Sequence, residues 1–272
     1  MPAFATISVE KLLRLVGTPY CPSLVDVRTD DDWNANPRLI PGSLRRSHAD
    51  ATVWAAEFTQ HPVVAICQKG SILSHGVAAW LRHAGVAAEV LEDGFEAWCK
   101  ADLPLVTAAK MPRCDAQGRT IWVTRARPKV DRIACPWLIR RFIDPRAVFL
   151  FVGPAEVEGV ADRFAATPFD VEGALWGDRG ERCTFDAMVE EFGLATEPLL
   201  RLATIVRGAD TGRMDIAPQA AGLLAASLGL SRMFADDLAQ LEAGMGLYDA
   251  FYRWCRDATE ETHVGHSKKS RA

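Results

Sequence analysis

Short apolar runs alternate with helical spacings through the first hundred residues of the chain. Residues 9–16 (VEKLLRLV) carry a helical apolar stripe behind Ser8, a residue whose hydroxyl can cap a helix. Ser23–Val27 (SLVDV), Pro62–Ile66 (PVVAI) and Ala88–Glu92 (AEVLE) are short and apolar, three of them β-branched in the second case, and predict strands. Between them, residues 49–58 predict a helix, and Ser74–His83 predicts another with Val77, Trp80 and Leu81 at helical spacing. A short helix is expected over Phe95–Lys100. Strands that alternate with helices in this order predict an α/β fold with a parallel sheet.

Thr107–Arg119 has no periodicity and carries Pro, Gly and charges, so it is expected to join two domains. The expected boundaries are 1–107, a linker over 108–119, a second domain over 120–257, and a polar tail over 258–272 expected to be disordered. In the second domain, TIWVT and AVFLFV predict strands flanking a helix CPWLIRRFI. From Thr184 onward the pattern becomes mainly helical, giving an α+β domain. Thr184 is expected to cap DAMVEEF, Gly193 to lie near its end, and Pro198 to open LLRLATIVR with Gly208 ending it. Further helices are expected over Pro218–Leu228 and Asp236–Arg256, the latter with Leu238, Leu241, Met245, Tyr248, Tyr252 and Cys255 on one face.

At 49% hydrophobic and 24% charged residues, the 272-residue chain can bury a full core. Its net charge of −4 gives no general attraction to nucleic acid. The start MPAFATISVEKLL lacks the features of a signal peptide, and no apolar run reaches the roughly 20 residues of a membrane helix. A cytoplasmic location without membrane partners is therefore expected. The seven cysteines (positions 21, 67, 99, 114, 135, 183 and 255) are odd in number and include no CxxC pair. Neither a disulfide framework nor a zinc ribbon is suggested.

Cys67 stands apart because it ends a strand and precedes a loop and a helix, at the carboxyl edge where open α/β sheets place ligands. The loop Gln68–Leu73 can turn several backbone N–H groups toward the sulfur, and the helix expected behind a Ser74 cap adds its positive end. Both favour thiolate, which is the nucleophilic form. Lys69 can add a cation. The competing reading is a buried strand-end thiol with no reactivity. Cys135 and Cys183, each near an expected helix start, read as buried structural cysteines.

The first ~105 residues resemble a rhodanese domain, a sulfurtransferase fold with a five-stranded parallel sheet and helices on both of its faces. Leu24–Arg28 (LVDVR) is similar to that family's strand ending Asp-x-Arg, and Ile40–Ser43 (IPGS) to its Ile-Pro-Gly-Ala turn. The loop with Cys67 and Gly70 is similar to its active site. Leu91–Leu105 (LEDGFEAWCKADLPL) is similar to its closing Gly-Gly…Trp…Leu-Pro segment, with Asp93 in place of the first glycine. The resemblance implies that Cys67 attacks a thiosulfate-like donor, holds a persulfide and passes sulfur to a thiol or cyanide-type acceptor. Gln68, Lys69, Gly70, Ser71, Ile72, Leu73 and Ser74 would then line the substrate site. Asp26 and Arg28 are expected to be structural, pinning neighbouring loops. The loop is one residue longer than the common rhodanese pattern, as in rhodanese-like phosphatases and arsenate reductases. Those enzymes have arginine six residues beyond the cysteine; here that residue is Leu73, which disfavours phosphatase chemistry.

Nine basic residues between Arg113 and Arg146 face only Asp115, Asp131 and Asp144, a local excess of six positive charges. They can bind a small anion, or be dispersed and neutralised by acids elsewhere in the chain. Thr124–Asp144, Trp176–Asp186, Ile205–Arg213, Pro218–Arg232 and Leu247–Arg256 are similar to segments of the domain that forms the carboxyl-terminal part of chromate-resistance protein B. That resemblance implies a link to chromate handling, with chromate as a candidate ligand. Arg125, Asp131, Arg132, Arg207 and Asp210 are its candidate site residues. Asp178 stands where the family pattern has histidine, and no histidine occurs from Gly85 to Thr262. Asp178, Glu181 and Asp210 are candidate ligands for a hard metal ion, or else the acids that neutralise the arginine cluster, which is the favoured reading; no other cofactor is expected. His263 and His266 are too isolated to indicate a metal site.

The leading expectation is a sulfurtransferase acting through Cys67. An oxyanion-sensing regulatory protein with a non-catalytic rhodanese fold is the alternative. Nucleic-acid binding ranks last, because the basic segment lacks a helix-turn-helix pattern.

Overall fold

The structure is a computed structural model, and it describes residues 5–261. His263, His266 and all but the first four residues of the expected tail lie outside the described residues. In chain order the elements are β1 (Thr6–Ile7), α1 (Val9–Leu15), β2 (Ser23–Asp26), α2 (Asp30–Ala35), β3 (Arg38–Leu39), β4 (Ser43–Arg45), α3 (Ala51–Trp54), β5 (Val63–Ile66), α4 (Ile72–His83), β6 (Ala88–Leu91), α5 (Gly94–Lys100) and β7 (Val106–Thr107). The chain continues through β8 (Ile121–Arg125), α6 (Asp131–Leu138), β9 (Val148–Val152), α7 (Val157–Phe164), β10 (Thr167–Pro168), α8 (Thr184–Glu191), α9 (Glu197–Asp210), α10 (Gln219–Met233) and α11 (Asp237–Asp257).

β1, β6, β5, β2 and β4 form one sheet in that order, and every neighbouring pair is parallel. Side chains alternate between its faces, as a period of two requires. Leu24, Val64, Ile66 and Leu91 join the largest apolar cluster, whereas Val25, Ala65, Cys67 and Val90 join a second one with Trp54, Phe58, Val77 and Leu81. Both faces are therefore buried, which is why these strands read as continuous apolar runs. A second sheet of order β10-β8-β9 is also parallel; α7 packs on β8 and β10 and α11 on β9, while α8 to α10 pack on other helices.

The largest cluster crosses from one half of the chain to the other. It contains Ile7, Leu12, Val16, Trp98 and Val106 together with Trp122, Trp137, Phe142, Phe185 and Tyr248. At Gly17 a Cβ would stand 2.2 Å from the Phe142 ring, so a benzyl group occupies the space a side chain would need. The Gly42 amide donates to the Phe142 carbonyl at 2.6 Å, Lys110 pairs with Glu191 at 2.6 Å, and Arg146 reaches Glu57 at 3.6 Å. The segment expected to be a featureless linker is built into this contact. β7 pairs antiparallel with β3, and Met111 packs on the shared core.

Several local expectations are corrected. α4 starts at Ile72 with Ser71 at its cap, not behind Ser74, because the Ser74 hydroxyl is turned inward. Trp80 is half exposed, away from the stripe of Val77 and Leu81. Cys183 is the N-cap of α8 and Thr184 its first residue. α6 begins at Asp131, four residues before Cys135, and Pro136 lies inside it, followed by a π-helical turn over Ile139–Ile143. Gly208 lies within α9, where Ala220 of α10 comes so close that a Cβ would meet it at 2.9 Å. α10 runs on to Met233, and Leu238 of α11 faces solvent while Leu241, Met245, Tyr248, Tyr252 and Cys255 are buried.

Arg28 braces the first sheet. Its side chain is fully buried and bonds Asp26 through Nε at 2.9 Å and Nη2 at 2.6 Å. It also donates to the carbonyls of Asn36 and Arg38, and its guanidinium lies 3.7 Å from the centre of the Phe95 ring. Arg28→Ala would leave the Asp26 carboxylate buried and uncompensated, which costs about 3–5 kcal/mol. Urea denaturation should show a loss of this size, and a loss below about 1 kcal/mol, typical of a surface pair, would refute the bracing role.

Candidate functional site

Cys67 follows the central strand β5 at the carboxyl edge of the first sheet, and it is 3% exposed. Its neighbouring loop is held by α5: the Phe95 amide donates to the Cys67 carbonyl and the Glu96 amide to the Gln68 carbonyl, both at 3.0 Å. The two segments lie too close for side chains between them. A Cβ on Gly94 would meet the Cys67 carbonyl oxygen and the Gly70 nitrogen at 2.3 Å, and both glycines have positive φ (62° and 59°). Asp93, standing where the related pattern has glycine, also takes a left-handed φ of 52°.

With its carbonyls turned toward α5, the loop directs donors at the sulfur. The Ser71 amide lies 3.3 Å from Sγ and the Ser74 hydroxyl 3.1 Å. Ser74 Oγ also lies 3.1 Å from the Ser71 carbonyl. In the thiol form S–H donates to Ser74, which donates to that carbonyl; in the thiolate form the hydroxyl turns and donates to sulfur. Burial pushes the Cys67 thiol up. The Ser74 hydroxyl and the amides of Ser71, Ser74 and Lys69 outweigh burial, so its pKa lies below the ordinary thiol value. The other six cysteines shift upward, chiefly through burial: Cys21 to about 12, Cys255 to about 11, and Cys135 and Cys183 further, with Asp131 adding to the rise of both.

The remaining loop residues are placed as follows. Lys69 is exposed and contributes to the sulfur through its amide. Gln68 donates to Glu96 at 3.2 Å. Ile72 is 86% exposed at the head of α4, and Leu73 packs against the cluster that contains Cys67. No cationic side chain stands at the position of Leu73, so the sulfur's neighbours are amides and hydroxyls suited to a singly charged group.

In the second half, the basic excess is dispersed. Arg119, Arg125, Arg132, Arg140, Arg141 and Arg146 all lie in ion pairs, with Asp115, Asp170, Asp170, Glu242, Asp249 and Glu57 respectively. Arg207 pairs with Asp186 at 2.8 Å. Asp131, Asp170 and Asp178 come together, each with one oxygen within 4.8 Å of the others. Asp170 ties Arg125 and Arg132 to this group at 3.2 and 3.1 Å. Burial, then Asp210, Asp170 and Asp178, push the Asp131 carboxyl well above the usual range; burial, then Asp170 and Asp178, push Asp210 to about 6. Glu181 lies outside the group, its side chain 90% exposed and 4.0 Å from Arg213. Asp170 escaped the sequence reading. It follows a strand of two residues, too short to show periodicity, and its left-handed φ of 49° belongs to an irregular segment.

Residues 8–101 match the family model described as a rhodanese-like domain, and residues 122–255 match that of the ChrB C-terminal domain. The chain therefore joins a rhodanese-like domain to a ChrB C-terminal domain. It is similar to Protein ChrB of Cupriavidus metallidurans, with 37% identity over 153 residues, 55% of this chain and 45% of that protein. The chain thus matches less than half the length of this curated relative. Among solved structures it is similar to a rhodanese-related protein from Thermoplasma volcanium (18% identity, TM-score 0.33, covering 38% of this chain and 98% of that one). It is also similar to a rhodanese-like domain protein from Staphylococcus aureus (23% identity, TM-score 0.32, 35% and 90%).

The cradle predicts the order of cysteine reactivity. Alkylation by iodoacetamide, mapped by mass spectrometry across a pH series, should modify Cys67 with a midpoint below that of free cysteine. A lowered pKa means that thiolate accumulates at lower pH, so Ser74→Ala, which removes a donor, should move the midpoint up. A Cys67 midpoint at or above the free-thiol value contradicts the geometry.

Proposed function

We propose that this protein is a sulfurtransferase of rhodanese type in which Cys67 carries a persulfide. The observation that supports it best is the amide and hydroxyl cradle, which favours a negative charge on the sulfur of Cys67 and on no other cysteine. The thiolate attacks the outer sulfur of a thiosulfate-like donor. A new S–S bond forms as the donor's own S–S bond breaks, and sulfite leaves with the bonding electron pair. The persulfide anion then occupies the cradle. A thiol or cyanide-type acceptor attacks the outer sulfur, the Cys67 thiolate leaves, and the cycle closes without net oxidation of the protein. Ser71 and Ser74 are the positioning donors, and Gly70 and Gly94 keep the cradle closed.

On this reading residues 108–119 are the proposed junction of two domains, and the second serves chromate resistance, as its similarity to ChrB suggests. A cytoplasmic location is part of the proposal; among the described residues no helix is long and apolar enough to cross a membrane.

Purified full-length protein given thiosulfate and cyanide should form thiocyanate, and Cys67→Ser should form none. Protein incubated with thiosulfate alone should gain the mass of one sulfur atom on the peptide that contains Cys67. Wild-type protein that is natively folded yet yields neither product would instead support an oxyanion-sensing role for the rhodanese-like fold.

A further inference from the structure

The helix α6 starts under constraint. Val130, just before it, has a φ of 36°, a conformation that β-branched residues rarely adopt. Its amide donates to Ser227 of α10 at 2.9 Å, its carbonyl accepts from the Tyr248 hydroxyl of α11 at 2.8 Å, and Gln240 of α11 donates to the Pro128 carbonyl at 2.6 Å. Three buried polar side chains thus fix the turn that presents Asp131 at the carboxyl edge of the second sheet. Only 1% of Asp131 is exposed. One carboxylate oxygen, Oδ2, accepts from the Phe185 amide at 3.2 Å, and the other, Oδ1, accepts no hydrogen bond. A buried carboxylate oxygen without a partner is costly, and the groups nearest it are more carboxylates.

We propose that Asp131, Asp170 and Asp178, with Asp210 beside them, bind one hard divalent cation. Oxygen is the only donor type in the group, which selects ions of the Mg²⁺, Mn²⁺ and Ca²⁺ class over zinc or copper. Oxygens opposite one another around Ca²⁺ lie about 4.8 Å apart, and around Mg²⁺ about 4.2 Å. The separations among the three aspartates fall within the first of these spans. Asp170 spends Oδ2 on both guanidinium groups and has Oδ1 within 3.4 Å of the Thr184 hydroxyl, whose other partner is Asp178 at 2.9 Å. When all four carboxylates are ionised, they exceed the two guanidinium groups of Arg125 and Arg132 by two negative charges, the number that one divalent ion cancels. A cavity of about 340 Å³ lined by Arg125, Asp170, Glu172 and Asp178 opens beside the group and gives an ion a path from solvent.

The test is a titration of the full chain with Mn²⁺, following the electron paramagnetic resonance signal of the free ion. One ion should be taken up per chain. Loss of even an outer-sphere partner typically weakens metal binding about 10–100-fold. Asp131→Asn, which keeps the shape and the Phe185 contact, should therefore weaken binding at least about tenfold, and the exposed Asp178→Asn should do likewise. Glu181→Gln, outside the group, should leave binding unchanged. Circular dichroism checks each fold; if Asp131→Asn does not fold, Asp178→Asn decides. No uptake by wild type at millimolar Mn²⁺ would overturn the proposal, as would uptake that survives in the folded aspartate variants. Because the ion is read directly, failure of sulfur transfer at Cys67 leaves this result intact.

Discussion

Two stretches of backbone meet without a side chain between them at Gly70 and Gly94, and the cradle around the Cys67 sulfur depends on that approach. Because the carbonyls of Cys67 and Gln68 are taken by amides of α5, the loop can spend its own amides on the sulfur. The same helix carries Phe95, whose ring supports the Arg28 guanidinium, and Arg28 in turn fixes the carbonyls of Asn36 and Arg38. The cradle, the α5 terminus and the buried ion pair are therefore one mechanical unit. The Cys67 sulfur lies at its centre, and amides and a hydroxyl, not a charged side chain, lower its pKa.

The two sheets make opposite uses of the same position. Each is parallel, so each ends its strands on one edge where backbone groups and helix starts converge. At the edge of the first, donors surround a sulfur and favour an anion. At the edge of the second, carboxylates surround one another, and two arginines offset only part of their charge. Similar backbone architecture yields opposite electrostatics because the loop after β5 turns amides and the Ser74 hydroxyl toward the sulfur, whereas the side chains around β8 and β10 are acidic and basic.

The sequence carried the first site well and the second poorly, for reasons that can be named. Cys67 could be placed because β5 is wholly apolar and α4 has a clear stripe, so strand, loop and helix all left a periodic signature. The cap of α4 is Ser71, three residues before the expected Ser74, because the Ser74 hydroxyl serves the sulfur instead. Strands β1, β3, β7 and β10 have two residues each, too few to alternate. α6 was read as beginning near Pro136, the usual place for proline in a helix, whereas it begins at Asp131 behind a turn whose strain is sustained by α10 and α11. Contacts separated by about a hundred residues, such as Val130 with Ser227, leave no local trace, and with them went the grouping of Asp131 with Asp170.

The aromatic ring of Phe142 seated over Gly17 means that neither half has a finished surface of its own. Another rhodanese-like domain could not simply be spliced in place of residues 8–101, since any residue larger than glycine at that seam would evict the ring. The two halves are in this sense fitted to each other as lock and key are cut together, and exchange of one demands recutting of the other.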